Sequence, residues 1–138
     1  MNWMFPLDSK ILIAEDMTSV REVLIETFNA IGYNHIVGCK DGADAWEKIQ
    51  NESPPFQLIV SDLNMPDSNG MDLLIRIRTS DRYKNLPFLM ISEMSDQSHI
   101  MNAMKSGADY YLVKPIKAPE LASKLKIIHQ KRNEAKTS

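Results

Sequence analysis

The chain has 138 residues, of which 43% are hydrophobic and 25% are charged, a composition typical of a single globular domain with one core. Sixteen basic and 18 acidic residues give a formal net charge of −2, which argues against non-specific nucleic-acid binding. No apolar run approaches the roughly 20 residues of a membrane helix, and the opening MNWMFPLDSK does not have the pattern of a secretory signal. A single cysteine, Cys39, cannot form an internal disulfide, so we expect a cytoplasmic protein.

Five short apolar segments are predicted to be strands. They are continuous rather than alternating in polarity, which is typical of strands covered on both faces of a sheet. In chain order the predicted strands are Lys10–Ala14, His35–Cys39, Gln57–Ser61, Pro87–Ser92 and Tyr110–Lys114.

The segments between and after these strands have helical periodicity. Val20, Leu24 and Phe28 recur at the spacing of one helix face. The second helix is predicted to begin near Asp41, and the fifth near Pro119, which is tolerated in a first helical turn. Strands alternating with such helices predict an α/β fold, a doubly wound five-stranded parallel sheet with five helices.

Polar side chains follow four of the five predicted strands. In doubly wound sheets the ligand site lies beyond the carboxyl ends of the strands, so we expect these side chains to meet at one edge. They are Glu15 and Asp16 after the first strand, Asp62 after the third, Ser92 at the end of the fourth and Lys114 at the end of the fifth.

This set of side chains suits phosphoryl chemistry. Three converging carboxylates repel one another, and a hard divalent cation such as Mg2+ relieves that repulsion. A carboxylate such as Asp62 can act as a nucleophile on a phosphoryl group, with Lys114 and Ser92 neutralising or bonding the phosphoryl oxygens. Taken singly, each residue has an ordinary interpretation as a cap, a turn residue or a solvated lysine. Only their joint placement indicates a site.

At these residues the sequence resembles the receiver domain of bacterial two-component response regulators, most closely the stand-alone CheY-like chemotaxis type. The resemblance covers roughly Ser9 to Ile128 and rests on the motifs SDLNMP and GADYYLVKP together with the acidic pair and Ser92. It implies a flavodoxin-like sheet in the order 2-1-3-4-5. We accordingly divide the chain into an extension (1–8), a receiver domain (9–130) and a polar tail (131–138) that we expect to fray.

The resemblance implies a role for each residue of the site. Asp62 is the expected phospho-acceptor, charged by a histidine kinase or a small phosphodonor. Mg2+, or Mn2+, is expected on Glu15, Asp16, Asp62 and the backbone carbonyl of Asn64. Lys114 is expected to contact the phosphoryl group, and the bond from Lys114 to Pro115 is one that is cis in the family.

The resemblance also implies a switch and an output. Ser92 is expected to turn toward the phosphoryl group and Tyr111 to turn inward, which changes the face formed by the fourth helix, fifth strand and fifth helix. That face is expected to offer Tyr111, Ile116 and Lys117 to a partner, such as a flagellar motor switch protein. We expect a monomeric signalling protein that catalyses only its own phosphorylation and dephosphorylation, without nucleic-acid or membrane partners.

Several positions depart from the family pattern. Glu93 stands where a small residue often follows the switch hydroxyl, and Asn69 stands where Asp is frequent. The segment from Trp3 to Pro6 has no counterpart and is open to interpretation as a packing arm, a dimer contact or disorder.

Other functions fit the sequence less well. An aspartyl phosphatase would need a second acid where Asn64 stands, and a nucleotide-binding domain would need a glycine-rich turn after the first strand. A receiver acting only as an interaction module is disfavoured by the complete acidic set. Within the receiver interpretation, the alternative to chemotaxis is a phosphorelay intermediate that passes its phosphoryl group to a histidine phosphotransfer protein.

Overall fold

The computed structural model describes residues 5–65 and 69–137, with side chains described as far as residue 134. Strands and helices alternate along the chain. They are β1 (Ile11–Ala14), α1 (Thr18–Ile31), β2 (Ile36–Cys39), α2 (Gly42–Asn51), β3 (Leu58–Asp62), α3 (Gly70–Arg78), β4 (Phe88–Ser92), α4 (Gln97–Lys105), β5 (Tyr110–Val113) and α5 (Ala118–Thr137).

The five strands form one parallel sheet in the order β2-β1-β3-β4-β5, which confirms the predicted fold class and strand order. The strands begin one residue later than predicted at Lys10, His35, Gln57 and Pro87. β3 also includes Asp62, so the acid ends the strand instead of following it.

Two hydrophobic layers cover the sheet. On one face, α1 and α5 contribute Leu24, Phe28, Leu121 and Leu125 to the core. On the other face, α2, α3 and α4 pack apolar side chains that include Ala45, Ile49, Leu74, Ile77 and Ala103. Since both faces are covered, the strands need apolar residues on both sides, which explains their continuous apolar sequences.

The amino-terminal segment belongs to the packed structure from Phe5 onward. Phe5 is buried, its ring lies 4.8 Å from that of His129 in α5, and its carbonyl accepts a hydrogen bond from the Tyr33 hydroxyl at 2.7 Å. Of the three interpretations of Trp3–Pro6, the structure supports a packing arm at Phe5. Trp3 and Met4 lie outside the described residues.

Residues 131–138 were expected to form a fraying tail, and α5 extends into this segment as far as Thr137. Arg132 explains part of the difference, since its Nη2 donates to Asp109 Oδ2 at 2.8 Å and ties the helix to the start of β5. Glu134, Ala135 and Lys136, which favour helices, are three of the six residues that follow Arg132.

Candidate functional site

The backbone ladder of the sheet extends to the predicted site residues. Glu15 N–H donates to Cys39 O at 3.0 Å, and Lys114 N–H donates to Ser92 O at 2.8 Å. Ala14 pairs with Ser61, which places Glu15 beside Asp62 at the same edge. The site therefore stands on hydrogen-bonded strand ends, which hold the side chains more rigidly than free loops would.

Three carboxylates meet at this edge. One oxygen from each of Glu15, Asp16 and Asp62 lies within 4.8 Å of the other two. Glu15 and Asp62 are buried, with 1% and 6% of their surface exposed. A set of three carboxylates beside an open cavity fits Mg2+, which takes carboxylate oxygens and retains several waters.

Lys114 places its ammonium group against two of these acids. Its Nζ lies 2.8 Å from Asp62 Oδ2 and 3.1 Å from Glu15 Oε2. One positive charge thus faces three acids, which leaves the cluster with excess negative charge. The other Asp62 oxygen, Oδ1, accepts a hydrogen bond from the Asn64 N–H at 3.2 Å.

The crowding of acids changes how Glu15 titrates. Burial, followed by the hydrogen bond and the repulsion from Asp62, raises the pKa of Glu15 to about 7, although Lys114 acts in the opposite direction. Burial lowers the pKa of Lys114, but the hydrogen bonds to Asp62 and Glu15 and the attraction of their charges together outweigh burial and raise that pKa. Binding of a cation at this site is therefore expected to depend on whether Glu15 is protonated.

Ser92 and Tyr111 both bind the backbone of Met94, in the loop between β4 and α4. Ser92 Oγ accepts from the Met94 N–H at 3.0 Å, and the Tyr111 hydroxyl donates to the Met94 carbonyl at 2.8 Å. Tyr111 is buried, with 7% exposed. The two predicted switch residues are thus linked through one loop residue, which sequence reasoning did not identify.

The predicted partner face differs from expectation at Tyr111, because this buried ring is not offered to a partner in the present conformation. Lys117 is exposed and Ile116 is half-buried. Two large apolar side chains of α4 are exposed, namely Met101 at 50% and Met104 at 37%. The reason is that Ala103 occupies the buried side of this helix.

A cavity of about 760 Å³ opens over the acidic cluster. Its acidic floor includes Asp62, and Glu93 lies at its exposed margin, so the departure from the family pattern falls within the site. An apolar wall is formed by Met17, Val20 and Val23 from the α1 region and by Ile116. Nothing in the sequence distinguishes this wall, because its residues on α1 have the spacing of an ordinary helix face.

Two further features position the site. A Cβ atom on Gly70, the first residue of α3, would lie 2.3 Å from the Asp62 carbonyl oxygen. Arg21 Nη1 donates to the Glu15 carbonyl at 2.7 Å, fixing the backbone after β1.

The Lys114–Pro115 bond is cis, as the resemblance implied. Pro66 of the SDLNMP motif lies outside the described residues.

The fold and site define an α/β protein with an acidic, lysine-containing pocket at the carboxyl ends of its strands. The family model described as "Response regulator receiver domain" matches residues 11–126, and the chain belongs to this family. No helix within residues 5–65 and 69–137 is long and apolar enough to cross a membrane.

Proteins similar to this chain include CheY-like chemotaxis proteins. Chemotaxis protein CheY1 of Helicobacter pylori is 30% identical over 119 residues, which cover 86% of this chain and 95% of that protein. The CheY homolog of Campylobacter jejuni is 26% identical over 116 residues, covering 84% and 88%. The structure of CheY4 of Vibrio cholerae superposes with a TM-score of 0.78 at 29% identity, covering 88% of this chain and 98% of that chain.

Proposed function

We propose that Asp62 accepts a phosphoryl group from a histidine kinase in a Mg2+-dependent reaction, and that the phosphorylated chain changes its binding to a partner. The observation that carries this proposal is the Lys114 ammonium 2.8 Å from the Asp62 carboxylate, within an acidic cluster that opens to a cavity. Membership of the receiver family supports it.

In the proposed transfer, a carboxylate oxygen of Asp62 forms a bond to phosphorus as the bond from phosphorus to the donor histidine nitrogen breaks. Mg2+ (or Mn2+), held by Glu15, Asp16, Asp62 and the Asn64 carbonyl, would supply charge neutralisation at the phosphoryl oxygens. Lys114 is already placed to move its ammonium from the carboxylate to a phosphoryl oxygen. Ser92 would donate its hydroxyl hydrogen, which the bond from the Met94 N–H leaves free, by turning toward a phosphoryl oxygen.

Phosphorylation would act as a population shift. It replaces the carboxylate of Asp62 with an acyl phosphate of charge about −2, a net gain of about one negative charge at the sheet edge, and this draws Lys114 and Ser92 toward the new group. Because Ser92 and Tyr111 share Met94 as a partner, a movement of Ser92 alters the loop that Tyr111 holds. The effect would reach the face of α4, β5 and α5, including Ile116 and Lys117.

The names of the similar proteins favour a role in chemotaxis, with a flagellar motor switch protein as the output partner. We propose a monomeric, cytoplasmic signalling protein without a nucleic-acid partner. The receiver would span residues 9–130, although the packing of Phe5 indicates that the preceding segment stabilises it.

A phosphorelay intermediate is the second candidate, and the apolar wall of the cavity favours it. Met17 and Val23 are 57% and 59% exposed beside the acidic floor, where a helical histidine-bearing domain would need to dock. Return of the phosphoryl group from Asp62 to a histidine phosphotransfer protein would support this role over motor control.

The proposed function is tested with beryllofluoride, a stable mimic of a phosphoryl group. We expect Mg2+ and beryllofluoride together to shift the NMR resonances of Ser92, Tyr111 and Lys114, and to change the affinity for the output partner. Asp62→Asn is the matched control and should show neither effect. Equal partner binding with and without beryllofluoride would contradict the switch.

A further inference from the structure

A second cavity, of about 330 Å³, lies at the edge of the sheet opposite Asp62. We call it the amino-edge pocket, because Gln57 and Pro87, which line it, immediately precede β3 and β4. Its volume falls within the range of small-molecule sites. The phosphorylation site has no part in it.

The lining of the amino-edge pocket combines aromatic rings with basic groups. The rings are those of Phe5, Phe56 and Tyr83, and the basic side chains are Arg82 and Arg132, together with His129. None of its described lining residues is an acid. Aromatic walls bind flat rings, and guanidinium groups bind phosphate and carboxylate oxygens with paired hydrogen bonds.

Arg132 has unused hydrogen-bonding capacity. Its Nη2 donates to Asp109 Oδ2 at 2.8 Å, but its buried Nε has no hydrogen-bond partner among the described residues. Asp109 is shared, since Arg78 Nη2 also donates to Oδ2 at 3.2 Å. Two guanidinium groups therefore depend on one carboxylate, which leaves positive charge beside the pocket.

Arg82 provides a second, more accessible cation. Its guanidinium carbon lies 5.4 Å from the centre of the Tyr83 ring, and its side chain is exposed. Arg82 and Arg132 both line the cavity, so a ligand within it meets two guanidinium groups.

We propose that the amino-edge pocket binds a small aromatic anion, a planar ring carrying a phosphate, phosphonate or carboxylate group. The ring packs between Phe5, Phe56 and Tyr83, and the anionic group bonds the guanidinium groups of Arg82 and Arg132.

The test is an NMR titration of the full chain with phenylphosphonate, whose carbon–phosphorus bond cannot transfer a phosphoryl group to Asp62. We expect saturable shifts of the Arg132 Nε–H and of the amides of Asn85 and Asn133, which also line the pocket. Methylphosphonate, which lacks the ring, and benzyl alcohol, which lacks the charge, should each bind at least about tenfold more weakly.

Two variants make the result decisive. Arg82→Ala removes an exposed side chain and should weaken phenylphosphonate binding severalfold without lowering the thermal unfolding temperature. Arg132→Lys retains a cation for Asp109 but removes Nε, and should also weaken binding. The proposal is overturned if no saturable shift occurs at the pocket, if the shifts map to Lys114 instead, or if Arg82→Ala binds as tightly as the unaltered chain.

Discussion

The first residue of α3, Gly70, lies against the backbone of the proposed phospho-acceptor, Asp62. A Cβ atom on Gly70 would stand 2.3 Å from the Asp62 carbonyl oxygen and 2.9 Å from Met90 Sδ. Real Cβ atoms do not approach backbone so closely, so α3 reaches its position beside the site only because residue 70 lacks a side chain.

Gly70→Ala is therefore expected to displace α3 or the end of β3 and to lower the free energy of unfolding by more than about 2 kcal/mol. Urea unfolding measures this change. Gly38→Ala is the matched control, because its Cβ would meet the flexible Arg21 side chain at 3.0 Å. A Gly70→Ala variant as stable as Gly38→Ala would show that the close approach is not structurally required.

Glu15→Gln is expected to make stability less sensitive to pH when divalent cations are removed with EDTA. The pKa of Glu15 is raised to about 7 from 4.5, so the folded state holds its proton longer than the unfolded state. Ionisation of Glu15 then costs stability as the pH rises from about 4.5 to about 7, and the full cost, of order 1–3 kcal/mol, is present above that range.

Denaturant unfolding at pH 5 and pH 8 measures this difference. Relative to the unaltered chain, Glu15→Gln should gain stability at pH 8 and little at pH 5. Glu22→Gln, on the exposed side of α1, is the control and should follow the unaltered chain. Parallel pH profiles for Glu15→Gln and the unaltered chain would contradict the raised pKa.

Asp109→Asn is expected to destabilise the fold by about 3 kcal/mol, because it leaves two guanidinium groups without their carboxylate. Asp109 Oδ2 accepts hydrogen bonds from Arg78, Arg132 and the Phe88 N–H, the last at 2.8 Å. Thermal unfolding of the variant and the unaltered chain measures this loss of stability. Asp81→Asn, at an exposed position, should change stability by less than about 0.5 kcal/mol; similar losses in both variants would show that this ion-pair cluster contributes little.

Cys39 is expected to resist alkylation in the folded protein. Burial, reinforced by the nearby Asp44, raises the pKa of its thiol to about 12, and the thiolate is the reactive form. Iodoacetamide at pH 8, followed by mass spectrometry, should label the chain in urea but not in native buffer. Rapid labelling of the native chain would show that the thiol is accessible or ionised.

The sequence predicted the parts of the structure that local patterns determine. Continuous apolar segments bounded by polar residues identified all five strands to within a residue or two, and parallel topology then placed Glu15, Asp62 and Lys114 at one edge. Asn69, a residue type that is common at helix N-caps, caps α3 by accepting from the Asp72 N–H at 2.9 Å.

The features that sequence reasoning missed depend on contacts between distant parts of the chain. Arg132 and Asp109 pair across 23 positions, and Tyr33 binds Phe5 across 28; neither pair leaves a periodic signal. The exposure of Met101 and Met104 also has no local signal in the sequence, since a small residue, Ala103, is the one that is buried. Periodicity identified the helix but not the side that packs.

The central claim is that Asp62 accepts a phosphoryl group with the aid of a divalent cation. The most direct measurement is the intact mass of the chain after incubation with acetyl phosphate and Mg2+, beside Asp62→Asn and an EDTA control. We predict one phosphoryl group per chain, present only with Mg2+ and absent from Asp62→Asn. An adduct that persists in Asp62→Asn, or that forms equally in EDTA, would contradict the account.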